Sequence, residues 1–224
     1  MDKEEKKKIK DGLFLALSFI LILWIVKLIE INFDISFVKY SMYPRKLSGL
    51  KGIVTTPLIH ENLMHLFNNS VPLFVSIIGI MYFFRKHAFQ IFALIYLVTH
   101  FIIWLTAPQS FIIGASGLVY AYLSFLFFVS AFSNNKNMLA LSLILIFAYG
   151  TMIWGIIPVN TNISWESHLI GAITGFVFAI IYKNKGPKEE KFDWEDEEEF
   201  DEEKNIDQMD DDEINELIYR NIKK

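Results

Sequence analysis

The chain has 224 residues and no cysteine. Disulfides, a thiolate nucleophile and cysteine-ligated metal sites are therefore excluded. There is no glycine-rich phosphate loop, so nucleotide chemistry of that type has no foothold. His60 and His65 are five residues apart, about 140° around a helix. The HExxH zinc motif needs a spacing of four, so His60-Glu61-Asn62-Leu63-Met64-His65 does not form it. No aspartate falls inside the long apolar runs, which removes an aspartyl pair as a catalyst within them. No metal, cofactor or nucleic-acid partner is expected.

What the chain has in excess is apolar sequence, 53% of its residues. Six runs, near 12–29, 66–84, 88–105, 113–132, 137–156 and 167–183, approach the roughly 20 residues that a helix needs to cross a bilayer. They are too many and too long for a soluble core. The pattern predicts an all-α membrane protein, a six-helix bundle over 12–184. The first run follows a lysine-rich start but lacks a small-residue cleavage site. It reads as a retained helix and not as a signal peptide.

Charge is unevenly placed. Residues 187–224 hold 17 of the 25 acidic and six of the 21 basic residues, leaving 15 basic and 8 acidic in 1–186. The formal net charge of −4 therefore describes neither part. Residues 1–11 form a basic N-terminal segment. If the crossings alternate, segments on the N-terminal side carry ten Lys and Arg and the opposite loops four. Positive residues stay cytoplasmic, so both termini are expected there, in a bacterial inner membrane. The acidic tail, 185–224, has too few apolar residues to offset its ordering entropy and is expected to be disordered. A short helix over 213–222 is the one local exception its spacing allows.

Polar residues inside the apolar runs are the informative ones, because such groups are costly in a membrane. Gly114-Ala115-Ser116-Gly117 opens the fourth run, and His65 and His168 lie near the starts of the second and sixth. Alternation makes these three helices co-directional, so all three residues are expected at one depth, with Ser116 about 7–8 Å along a helix that enters near Phe111. A serine hydroxyl becomes a nucleophile when a base takes its proton, and the imidazole of His168 suits that role. Gly171 and Gly175 form a GxxxG on its helix face, and Gly117 offers a matching notch, which permits close helix approach. Packing alone also explains these glycines, and the two readings are compatible. Acyl transfer further needs oxyanion donors. His65 and Asn69 share a face at i, i+4, with Asn68 as a rival at i+3, and the Ser116 backbone N–H is another donor. Tyr120 lies one turn after Ser116, where its ring can stack on His168 or simply pack.

With these residues in view, the sequence resembles the rhomboid family of intramembrane serine proteases. The resemblance rests on His60, His65 and Asn69, on Gly114 to Gly117 with Tyr120, and on His168 with Gly171 and Gly175, in that order over about 12–184. It implies a Ser116–His168 dyad without an acidic third member, His65 and Asn69 in the oxyanion hole, and Tyr120 stacked on the base. It also implies transmembrane protein substrates, cleaved near the outer boundary of the lipid bilayer. One departure is visible. Many family members carry Trp-Arg before the Thr-Pro that leads into the histidines, whereas this chain has Lys51-Gly52-Ile53-Val54.

Two other functions compete. An inactive rhomboid-like protein that binds or chaperones membrane helices would usually lack the dyad. A transporter would place polar groups at the bilayer midplane and show internal repeats, and neither is visible.

Overall fold

The computed structural model describes residues 3–148 and 164–186. Their main helices are α1 (Lys3–Phe33), α2 (Leu63–Phe83), α3 (Ala88–Thr106), α4 (Ser116–Phe132), α5 (Lys136–Ala148 as described) and α6 (Trp165–Tyr182). There is no strand among the described residues beyond an isolated antiparallel bridge between Met42 and Ile112. The end of the fifth apolar run, the loop around Pro158, and the acidic tail from 187 onward lie outside the described residues.

Among the described residues, four helical stretches are long and apolar enough to cross a membrane: Ile9–Phe33, Leu63–Phe83, Ala88–Thr106 and Trp165–Tyr182. α4 has 17 residues and the described part of α5 has 13, both apolar but shorter. The outer surface is that of a lipid-facing bundle. Phe14, Leu17 and Leu21 on α1 and Ile173, Val177 and Ile181 on α6 are exposed. In water, a patch of this size would drive association.

α4 is the central element. α6 packs along it most extensively, and α2, α3 and α5 also contact it. Leu118, Val119, Tyr122, Phe125 and Leu126 are buried on several of its sides. This all-round burial explains why its sequence is apolar without a clear stripe.

Two expected boundaries are corrected. The first helix begins at Lys3 instead of near 12, because Lys and Glu are good helix formers and continue the apolar segment outward. The fourth begins at Ser116 itself, so the serine opens the helix instead of lying 7–8 Å along it. Gly114 has φ +95°, a left-handed conformation that no helix accommodates and that glycine adopts without strain. Its amide donates to the carbonyls of Ile59 at 2.7 Å and Thr56 at 3.2 Å.

The long connection between α1 and α2 is ordered by side-chain and backbone bonds. Thr56 Oγ1 accepts from the Met42 amide at 2.8 Å and donates to the Ile112 carbonyl at 3.3 Å. Arg45 Nη1 donates to the Ala107 carbonyl at 2.8 Å, and Trp104 Nε1 donates to the Lys46 carbonyl at 3.1 Å. Tyr96 Oη donates to Val54 O at 2.5 Å. The loop is thereby fastened to the end of α3.

Candidate active site

The starts of α2, α4 and α6 converge at one end of the bundle. Asn62 caps α2: its extended backbone leaves Oδ1 free to accept from the His65 amide at 2.8 Å. That cap fixes His65 in the first turn. Ser116 is the first residue of α4, and His168 lies in the first turn of α6, after Ser164. Ser116 Oγ and His168 Nε2 are 2.7 Å apart. The Tyr120 ring stacks on the His168 imidazole with centroids 4.3 Å apart and planes 14° from parallel. His168 and Tyr120 are buried and Ser116 is half-buried.

This spacing depends on absent side chains. A Cβ at Gly171 would collide with the Gly117 carbonyl oxygen, and one at Gly175 with the Ala121 carbonyl oxygen. A Cβ at Gly117 would itself lie 3.2 Å from the Ser167 carbonyl oxygen. The α4 and α6 backbones thus meet with no side chain between them at these positions. Ser124 Oγ adds a cross-helix bond to the Ala172 carbonyl at 2.6 Å. Two helices that meet so closely leave a short serine able to reach a histidine on its neighbour.

Gly114 faces the α2 residues. A Cβ there would come within 2.8 Å of His65 Nε2 and 3.7 Å of Asn69 Nδ2. His65 and Asn69 therefore adjoin the turn that delivers Ser116. Asn69 is buried, and its Nδ2 has no hydrogen-bond partner. Leaving such a donor unpaired typically costs about 1–3 kcal/mol. Asn68, its sequence neighbour, is exposed. The remaining buried histidine of the apolar runs, His100, donates from Nδ1 to the Tyr96 carbonyl at 2.8 Å and packs against the Tyr96 ring.

Lys27 stands near the end of the first apolar run. It proves to fasten the site's edge. Its buried Nζ donates to Glu30 Oε2 at 3.1 Å, to the His60 carbonyl at 2.9 Å and to the Glu61 carbonyl at 3.0 Å. All three ammonium donors are used. Glu30 Oε1 in turn accepts from the Phe37 amide at 2.7 Å. The cation thus pins the turn just before the Asn62 cap. The available signal was an i, i+3 Lys-Glu pair at the end of an otherwise apolar run.

His60 is buried beside this turn, its ring edge-on to His65 with centroids 5.1 Å apart. Burial first, then His65 and Lys27, hold its pKa down to about 3 from the usual 6.5, against an opposing contribution from the Leu58 backbone. A ring that stays neutral down to that pH shapes the pocket beside His65 and does not exchange protons in the neutral range. Among the described residues, no three of His, Asp or Glu converge to hold a metal ion.

Membrane-length helices around a part-buried Ser–His hydrogen bond define the class: a multi-pass helical membrane protein with a paired serine and histidine at one end of its bundle. The Rhomboid domain family model matches residues 48–185, more than half of the chain. The chain belongs to the rhomboid family. It is 30% identical over 183 residues to an uncharacterized protein of Mycobacterium tuberculosis (strain ATCC 25618 / H37Rv), covering 74% of this chain and 72% of that one. An uncharacterized protein of Mycobacterium bovis shows the same identity and coverage. One of Mycobacterium leprae is 29% identical over 174 residues, covering 74% and 69%. No solved structure matches the chain.

Proposed function

We propose that the protein is an intramembrane serine endopeptidase that cleaves transmembrane protein substrates near the outer face of the bilayer. The observation that carries this reading is the 2.7 Å approach of Ser116 Oγ to His168 Nε2. With Nε2 unprotonated, the Ser116 hydroxyl donates to it. As Oγ bonds to the scissile carbonyl carbon, the proton passes to His168. The carbonyl oxygen gains negative charge, and His168 then returns the proton to the leaving amine as the peptide C–N bond breaks. Water, deprotonated by the same imidazole, releases the acyl group from Ser116.

The oxyanion requires donors aimed at it before the reaction begins. Asn69 Nδ2 is buried and unpaired, which suits a donor waiting for a charge. The His65 ring beside Gly114 and the Ser116 amide complete the set. The first amides of a helix have no intrahelical partner, and the helix dipole favours negative charge there. Tyr120 keeps the imidazole plane facing Ser116 by stacking. In this reading both termini are cytoplasmic and the membrane is the bacterial inner membrane.

A fluorophosphonate probe tests the proposal. Wild-type protein in detergent should form one covalent adduct, on Ser116, and cleave a model transmembrane substrate. Ser116→Ala should lose both, and His168→Ala should lose nearly as much cleavage, since members of one catalytic unit are not additive. Undiminished cleavage by Ser116→Ala would overturn the assignment. An unlabelled wild type that still binds the substrate would favour the helix-binding alternative.

A further inference from the structure

The connection between α1 and α2 carries Lys39, Arg45, Lys46 and Lys51 on the same side of the bundle as Ser116. Arg45 is committed to the end of α3 through the Ala107 carbonyl. The three lysines are exposed and gather on two tyrosine rings. Lys39 and Lys51 Nζ lie 5.1 and 4.8 Å from the Tyr40 ring centroid, and Lys46 Nζ lies 4.1 Å from that of Tyr43. Among the described residues, none of the three is paired with a carboxylate. Three like charges held this close repel one another unless an anion comes between them.

A concavity opens between them, lined by Lys39, Ser41, Lys46, Ser48, Lys51 and Phe111. Its walls are fixed in advance. A Cβ at Gly49 would lie 2.6 Å from the Tyr43 amide nitrogen, so two stretches of backbone are in contact there. Thr56 joins Met42 to Ile112, and Tyr43 packs edge-on against Phe111 at 5.2 Å. Preorganised shape of this kind lowers the cost of binding. The rim is apolar and outward-facing: Leu47 is 83% exposed and Phe111 52%. Apolar side chains beside lysines and tyrosines are the pattern of a segment lying at a membrane interface, with ammonium groups at headgroup depth.

We propose that this concavity binds the phosphate headgroup of one anionic phospholipid, in the leaflet on the side of Ser116. The lysines neutralise the phosphate, the exposed Ser48 hydroxyl adjoins it, and Leu47 and Phe111 sit in the acyl region. The site does not depend on the protease reading, and its primary readout, retained lipid, needs no turnover.

The full chain, delipidated in detergent, is offered phosphatidylglycerol or phosphatidylcholine, and the retained lipid is counted by native mass spectrometry. Wild type should retain one phosphatidylglycerol in preference to phosphatidylcholine. Each lysine near an anionic surface strengthens binding about fivefold. The Lys39→Gln/Lys46→Gln/Lys51→Gln variant should therefore bind on the order of a hundredfold more weakly. Lys46→Glu alone should also lose most of the preference. Lys183→Gln/Lys185→Gln, at the opposite end of α6, should behave as wild type. Equal retention of the two lipids, or unchanged retention by the triple variant, would overturn the proposal. Displacement of the lipid by equimolar inorganic phosphate would do so too, by assigning the pocket to a soluble anion. So would unchanged lipid retention combined with lost cleavage of substrates bearing acidic residues outside their anchor, which would assign the lysines to substrate recognition.

Discussion

Asn69 is buried with an unpaired amide nitrogen, and Asn68 beside it faces outward. One position, about 100° of helix rotation, separates a group held next to the serine turn from one held away from it. Asn69→Ala should lower kcat roughly 10²–10³-fold, about 2.7–4 kcal/mol, with a smaller rise in KM. Asn68→Ala should be near neutral in the same assay, and the reverse ranking would reassign the donor. Lys27 makes a second prediction at this scale. Lys27→Met strands a buried Glu30 carboxylate and two backbone carbonyls. Removing one partner of a buried pair typically costs about 3–5 kcal/mol. The Tm of Lys27→Met in detergent should fall well below that of wild type. Lys27→Met/Glu30→Gln should recover part of the loss, because no uncompensated charge remains. If the double variant were the less stable, the pair would not be electrostatically coupled.

At the scale of elements, the pairing of α4 with α6 decides whether a serine and a histidine meet. The decisive feature is backbone proximity at Gly117, Gly171 and Gly175. Gly171→Leu has no room for its side chain beside the Gly117 carbonyl and must push the helices apart. Overpacking of this kind typically costs about 1–3 kcal/mol, enough to leave a folded protein with a separated dyad. Fluorophosphonate labelling of Ser116 should be lost in Gly171→Leu. It should be retained in Ile173→Leu, whose side chain on the same helix is exposed. Labelling of Gly171→Leu at the wild-type rate would mean that the reactive geometry does not need this contact. The length of α4 matters as well. Its 17 residues span about 26 Å, less than the roughly 30 Å of a hydrocarbon core. In the proposed reading, a central helix this short leaves its first residue, Ser116, recessed beneath a face of the membrane.

For the whole molecule, the Lys and Arg distribution is the basis of the proposed direction of insertion. The proposed orientation, with both termini in the cytoplasm, rests on ten basic residues on one side against four on the other if the crossings alternate. A reporter active only outside the cytoplasm, fused after Lys224, should be silent, and a strong signal would reverse the orientation. In that orientation the site end of the bundle faces outward, with the lysine-lined concavity beside it.

Membrane character, the helical class and the approximate positions of the helices were legible in the residues alone. The reason is that a bilayer imposes a length and a polarity that soluble surroundings do not. Ser116, His168 and the small residues stood out for the same reason, since a polar group or a glycine in an apolar run is an exception to its surroundings. Other features depend on contacts between distant segments. The helix was expected to begin before Ser116; it begins at Ser116 because the Gly114 amide bonds to Ile59 and Thr56, more than 50 residues earlier in the chain. Asn69 and Asn68 are the same residue type and differ only in what α2 packs against. The role of the Lys27 ammonium depends on the fold, which brings the His60 and Glu61 carbonyls to it. Periodicity and composition report the environment that each segment needs. Only the packed chain determines which segments supply that environment to one another.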